Sequence, residues 1–193
     1  WIYLNNTQPR FVSKNESKWE GKLNKVSFLK YKESRSFMRK ALSEKFKIDP
    51  LDVPLYSPPG IKPILKEGWG HLSLSHCKTH TAISWAPSPI GIDIECKKRI
   101  FEAKKLYKRF YLDDEKEEIN KINVNDLNQE VLKYWVIKES ALKWQEGSYS
   151  KDLFNWQWRK LLNFAINREK GLRVKTYIVS FQSLYIGIAY NKK

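Results

Sequence analysis

Hydrophobic and polar positions alternate along two short runs, His71-Leu72-Ser73-Leu74-Ser75-His76 and Ile90-Gly91-Ile92-Asp93-Ile94-Glu95. Period-2 alternation is the mark of a half-buried strand. Residues 79–85 are rich in β formers, and Trp1-Ile2-Tyr3-Leu4 reads as a further short strand followed by a polar loop. Helical spacing covers residues 17–46 with a break expected before Glu33; the second piece, 34–46, sets Phe37, Met38, Ala41, Leu42 and Lys45 around one side. Pro50, Pro54, Pro58, Pro59, Gly60 and Pro63 then predict a loop. Residues 99–121 form a charged helical stretch, and 129–145 a strongly periodic helix. Residues 172–190 read as two strands around a turn near Gln182-Ser183.

The order is strand, helices, strands, and then strand, helices, strands again. It predicts an α+β protein of two similar halves, residues 1–87 and 88–193, with the seam near Pro87-Ser88-Pro89. Eight Trp, ten Tyr and nine Phe supply enough bulky apolar area for a core, which excludes a disordered basic tail. No apolar run approaches the roughly 18 residues of a membrane span, and the opening residues lack the charged-then-apolar layout of a signal peptide. Two cysteines, Cys77 and Cys96, allow neither a disulfide framework nor a four-cysteine zinc site, and they read as structural or incidental. A reduced, cytoplasmic, monomeric protein is expected.

Charge narrows the partner. The 36 basic and 21 acidic residues leave a net charge of +15, which favours nucleic acid, membrane headgroups, a polyphosphate or an acidic protein. The lysines and arginines form only short clusters such as Lys97-Lys98-Arg99. Sign alone does not choose among these partners.

Three constellations could carry chemistry. On a strand, Asp93 and Glu95 share one face about 6.5–7 Å apart, close enough to serve a common hard cation such as Mg²⁺, although solvated surface acids have the same spacing. On the 129–145 helix, Tyr134, Ile137, Ala141 and Trp144 make an apolar stripe, with Trp135 and Leu142 on a flank, so more than one side should be covered. Glu139 and Lys143 stand at i and i+4 on the remaining face, either as a surface pair or as a third carboxylate and an ammonium at a phosphate-and-metal site. His76 suits a phosphate contact, a base or a structural role. Zinc at His71, His76, Cys77 and His80 is disfavoured because the ligands fall on opposite sides of a strand and its turn. Neither a Gly-x-Ser-x-Gly elbow nor a phosphate-binding Gly-x4-Gly-Lys loop is present.

Taken in order, Ser75-His76, Gly91-Ile92-Asp93-Ile94-Glu95 and Trp135-Val136-Ile137-Lys138-Glu139-Ser140-Ala141-Leu142-Lys143 resemble the Sfp-type 4′-phosphopantetheinyl transferases. Arg35-Ser36 and Gly60-Ile61-Lys62-Pro63 match weaker upstream elements, the latter with a residue between Gly and Lys where many relatives have none. The resemblance implies a pseudo-twofold pair of α+β halves with the active site in the cleft between them. It implies transfer of the phosphopantetheine arm of coenzyme A to a serine of an acidic acyl or peptidyl carrier protein, leaving 3′,5′-adenosine bisphosphate. Asp93, Glu95 and Glu139 would hold Mg²⁺, with Mn²⁺ as a substitute. Arg35, Ser36, Lys62, Ser75, His76, Asp93, Lys138 and Lys143 would form the coenzyme A site, with Lys22, Lys25, Lys30 and Lys32 as further candidates. Glu139 would take the serine proton and Lys143 would serve the leaving phosphate. Glu115 would be either a supporting acid or an ordinary surface residue. Neither nucleic acid nor membrane is expected as a partner. The alternative is a non-enzymatic basic module that binds nucleic acid.

Overall fold

In a computed structural model of the chain, which describes residues 1–191, two strands coincide with the two alternating runs, while a short strand pair forms in and beside the stretch expected to be a loop. In the first half the strands are β1 (Ile2–Leu4), the short pair β2 (Leu55–Tyr56) and β3 (Ile64–Leu65), then β4 (His71–His76) and β5 (His80–Ala86). The helices there are the one-turn α1 (Lys14–Ser17) and α2 (Lys25–Phe46). The second half opens with β6 (Ile90–Cys96), continues through α3 (Ala103–Phe110), α4 (Asp113–Asn120), α5 (Val124–Gln145) and α6 (Tyr149–Asp152), and ends with β7 (Trp156–Arg159), β8 (Phe164–Asn167), β9 (Arg173–Phe181) and β10 (Leu184–Tyr190). The chain is α+β: antiparallel sheets in the order β1-β5-β4 and β6-β10-β9-β8-β7, with helices against them. Among the described residues no helix is long and apolar enough to cross a membrane.

Each half buries a helix against its sheet. Phe37, Met38, Ala41 and Leu42 of α2 meet Leu72 and Ile83. The break expected before Glu33 is absent, because α2 runs unbroken from its Asn24 cap. Arg35 interrupts the apolar stripe in sequence but is itself buried: its Nε–H donates to the Ser57 carbonyl at 3.1 Å, and its guanidinium lies 4.0 Å from the Tyr31 ring centre. A polar residue with its donors satisfied continues a buried face as well as an apolar one.

In the second half α5 is covered on more than one side from Val131 to Leu142, as its broad apolar surface predicts. Tyr134 stacks on Tyr111 and meets the edge of Trp158, and Trp144 meets the edge of Trp156. β7 and β8, which carry Trp156, Trp158 and Ala165 into this core, are not foreseen in the sequence. Trp156-Gln157-Trp158-Arg159 alternates for only four residues and Phe164-Ala165-Ile166-Asn167 does not alternate, and an αL residue, Asn163, turns the chain between them.

The two sheets meet where β4 lies beside β6. The amides of Ile92 and Ile94 donate to the hydroxyls of Ser73 and Ser75 at 3.1 and 3.3 Å, so serine side chains stand in for a neighbouring backbone. Beside this seam Ala82 packs with Ile92, Ile94, Leu184 and Ile186.

Candidate active site

The face of β6 that carries Gly91, Asp93 and Glu95 lies against α5. A Cβ at Gly91 would drive into the Ser140 carbonyl and the Trp144 amide, and one at Gly187 on the paired strand would strike Val136. Both glycines let the helix sit directly on the strands. That close approach brings Asp93 to Lys143 and Glu139, one helical turn apart on α5.

Asp93 is 3% exposed. Its Oδ1 accepts from the Ser75 hydroxyl and from the Lys143 ammonium, both at 2.6 Å, while Oδ2 is buried with no partner. Lys143 Nζ also stands 3.8 Å from Glu139 Oε2, which accepts from the Tyr149 hydroxyl at 2.5 Å. Burial, then the Asp93 charge, push the Glu139 carboxyl up to about 8, against the pull of Lys143 and Tyr149. Burial also raises Glu95, with the paired Arg99 opposing. His76 is held below the usual imidazole range by burial, then by Lys143 and Lys30. These groups line a cleft of about 680 Å³, with Lys62 and His76 on its first-half side and Glu95, Arg99 and Trp135 around Asp93 and Glu139.

The sequence-predicted residues divide into three groups. Asp93, Glu95, Glu139, Lys143, Ser75, His76 and Lys62 line this one cleft. Ser75 is engaged with Asp93 and the Ile94 amide, so its hydroxyl orients the carboxylate. Arg35 lines an adjoining hollow of about 610 Å³ together with Lys30 and Lys78, and His76 borders both spaces. Of the four upstream lysines, Lys30 is the one that lines this hollow, whereas Lys22 borders a separate cavity of about 780 Å³ in the first half.

Ser36 and Lys138 are elsewhere. The Ser36 hydroxyl accepts from the Arg10 and Phe11 amides at 3.0 and 3.1 Å, fastening the N-terminal loop to α2 away from the cleft. Lys138 is fully buried, its ammonium donating to Glu115 at 2.7 Å and to the Trp156 carbonyl. Successive residues of a helix point about 100° apart, so Lys138 cannot share the face of Glu139. Its expected phosphate contact is therefore replaced by a structural ion pair. Glu115 is neither a supporting acid of the site nor a surface residue: it takes Lys138, the Trp158 amide at 2.9 Å and the Leu112 amide at 3.0 Å.

Sequence reasoning missed Tyr149, Arg99 and Glu146. Tyr149 lies beyond the αL cap at Glu146 that ends α5, where periodicity stops. Glu146 pairs with Lys62 at 2.5 Å across the cleft mouth. Arg99 had one available signal, its i+4 spacing from Glu95, but the strand ends between them. Among the described residues no three His, Cys, Asp or Glu side chains converge as a preformed metal cluster, the His71, His76, Cys77 and His80 set included.

A family model, that of the 4′-phosphopantetheinyl transferase superfamily, matches residues 89–185, half of the chain. The matched region runs from the turn before β6 into β10 and so contains Asp93, Glu95, Glu139 and Lys143. The chain belongs to this superfamily of transferases. No curated protein matches it.

Proposed function

We propose that the protein is a divalent-cation-dependent transferase of the Sfp type, moving the 4′-phosphopantetheine arm of coenzyme A to a serine of an acidic acyl or peptidyl carrier protein. The observation that carries this reading is the carboxylate pair itself. Asp93 presents a buried oxygen with no partner, beside a Glu139 whose carboxyl is raised to about 8 by burial and then by the Asp93 charge. Two hard oxygen donors that share a single ammonium fit a hard cation, and Glu95 lies on the same face of β6. Asp93, Glu139 and Glu95 would hold Mg²⁺ or Mn²⁺. When bound, the ion supplies charge neutralisation at a pyrophosphate.

The chain's own residues supply the rest. The serine hydroxyl of the carrier attacks the phosphorus bearing the pantetheine arm, its proton passes to Glu139, and the bond to 3′,5′-adenosine bisphosphate breaks. A base with a raised pKa is better matched to a hydroxyl proton near neutral pH than an ordinary carboxylate. Lys143, donating to Asp93 and close to Glu139, is placed to hand a proton or hydrogen bond to the departing phosphate. His76, kept neutral by its surroundings, donates a hydrogen bond rather than a charge. Lys62 at the cleft mouth and Lys30 in the adjoining hollow, beside the internally bonded Arg35, would receive the remaining phosphates. The rival reading, a basic nucleic-acid module, gives no role to buried carboxylates in a cationic protein.

The test is intact mass of an apo acyl carrier protein incubated with the protein, coenzyme A and Mg²⁺, with and without EDTA. A gain of about 340 Da that EDTA abolishes is expected for metal-dependent transfer. No gain with several carriers, from a folded protein, overturns the proposal.

A further inference from the structure

Cys77 follows β4 and Cys96 closes β6, and although 19 positions separate them, their sulfurs lie 3.2 Å apart. Both thiols are free and half-buried. Both backbones are pinned. The Cys77 amide donates to the His80 carbonyl at 2.9 Å, closing the β4–β5 hairpin, and Cys96 faces Leu184 in the register of β10. The contact therefore crosses the seam between the two sheets at one end, as the Ser73 and Ser75 bridges do further along. A disulfide needs its sulfurs about 2.0 Å apart, so closure requires roughly 1 Å of travel.

We propose that Cys77 and Cys96 are a reversible modification site, oxidised by a small disulfide such as glutathione disulfide to a bond that staples the first sheet to the second. One cysteine thiolate attacks glutathione disulfide, forming a mixed disulfide and releasing one glutathione. The other thiolate then attacks the protein sulfur of that adduct and releases the second. Two protein thiols become one disulfide, and the two electrons and two protons leave as two molecules of reduced glutathione. This inference stands whatever the cleft catalyses. Its consequence reaches the cleft all the same, because the linked residues are the immediate neighbours of His76 and Glu95.

The full chain, treated with glutathione disulfide, denatured, alkylated with iodoacetamide and weighed intact, tests it. The expected product is two hydrogens lighter than the reduced protein, takes no alkyl group and returns to the dithiol with dithiothreitol. Because the bond closes a loop of some 20 residues in the unfolded chain, the oxidised protein should melt about 5 °C or more above the reduced one. The Cys96→Ser variant should instead stop at a glutathione adduct on Cys77, with no gain in melting temperature. Two alkylated thiols, a persistent adduct in the wild type, disulfide-linked dimers, or the same melting gain in Cys96→Ser would each overturn the proposal.

Discussion

Lys138 and Glu139 are neighbours on one helix, both buried, and their surroundings are opposite. The Lys138 ammonium meets a carboxylate and a carbonyl, and that carboxylate, Glu115, has both oxygens occupied. Glu139 shares Lys143 with Asp93, takes one bond from Tyr149, and sits beside a carboxylate oxygen that nothing satisfies. The first arrangement joins α4, α5 and β7 and is complete without any visitor. The second sets two carboxylates against one ammonium, so it is completed either by a proton on Glu139 or by a cation from outside. Buried charge is compatible with a stable fold when paired; left short of a partner, it marks where a ligand belongs.

The largest expected effect falls on the satisfied pair. Lys138→Ala leaves Glu115 buried without its cation, at a cost of about 3–5 kcal/mol in unfolding free energy read from urea midpoints. Adding Glu115→Gln to Lys138→Met removes the stranded charge and keeps an oxygen for the Trp158 amide, so part of the loss should return. A cost below about 1 kcal/mol for Lys138→Ala would show that the pair is not structural. The unsatisfied site should respond the other way. Asp93→Asn and Glu139→Gln should each lower transfer by at least about 100-fold while leaving the urea midpoint unchanged or higher.

The pH dependence separates the two regions further. With its folded pKa near 8 against an ordinary 4.5, Glu139 keeps its proton in the folded state where the unfolded chain has lost it. Its contribution to stability is therefore full below about 4.5 and is lost as pH rises through about 8. Metal-free wild type should lose melting temperature between pH 5 and 8 relative to Glu139→Gln. Parallel curves would remove the raised carboxyl from the account.

The contrast between the two regions also shows what the sequence could carry. Alternation placed β4 and β6, and richness in β formers placed β5, to within a residue or so; the i, i+4 relation put Glu139 and Lys143 on one face of α5, while joining them to Asp93 came from the family resemblance. Alternation and helical spacing are local regularities. Lys138 was misassigned because a motif records which residues adjoin, not which way each points, and its partner Glu115 lies 23 positions away. The break expected before Glu33 does not occur, and the Ser57 carbonyl that satisfies the buried Arg35 two positions later belongs to a loop 22 positions on. Tyr149 and the Cys77–Cys96 contact depend on tertiary approach, which neither spacing nor composition encodes.

A smaller effect is expected at Tyr149. Tyr149→Phe removes one charge-assisted hydrogen bond to Glu139, worth about 1.5 kcal/mol or roughly tenfold in transfer. Because that bond holds the Glu139 carboxyl down, its loss should move the acid limb of the pH–rate profile upward. A downward move would mean that Tyr149 does not bear on the base.

The smallest structural effect belongs to Lys62, and it sharpens the comparison from the exposed side. Its pair with Glu146 has side chains 34% and 59% exposed, so water screens it and Lys62→Ala should cost about 0.5 kcal/mol or less in stability. An ammonium at the mouth of a cleft can still exchange its carboxylate for a phosphate when one arrives. Lys62→Ala should then raise the KM for coenzyme A several-fold with kcat nearly unchanged, the signature of lost binding shared by ground and transition states. Glu146→Ala, which frees the same ammonium, should lower that KM. If both substitutions shift KM in the same direction, the pair works as a unit that shapes the cleft mouth, and Lys62 is no phosphate ligand.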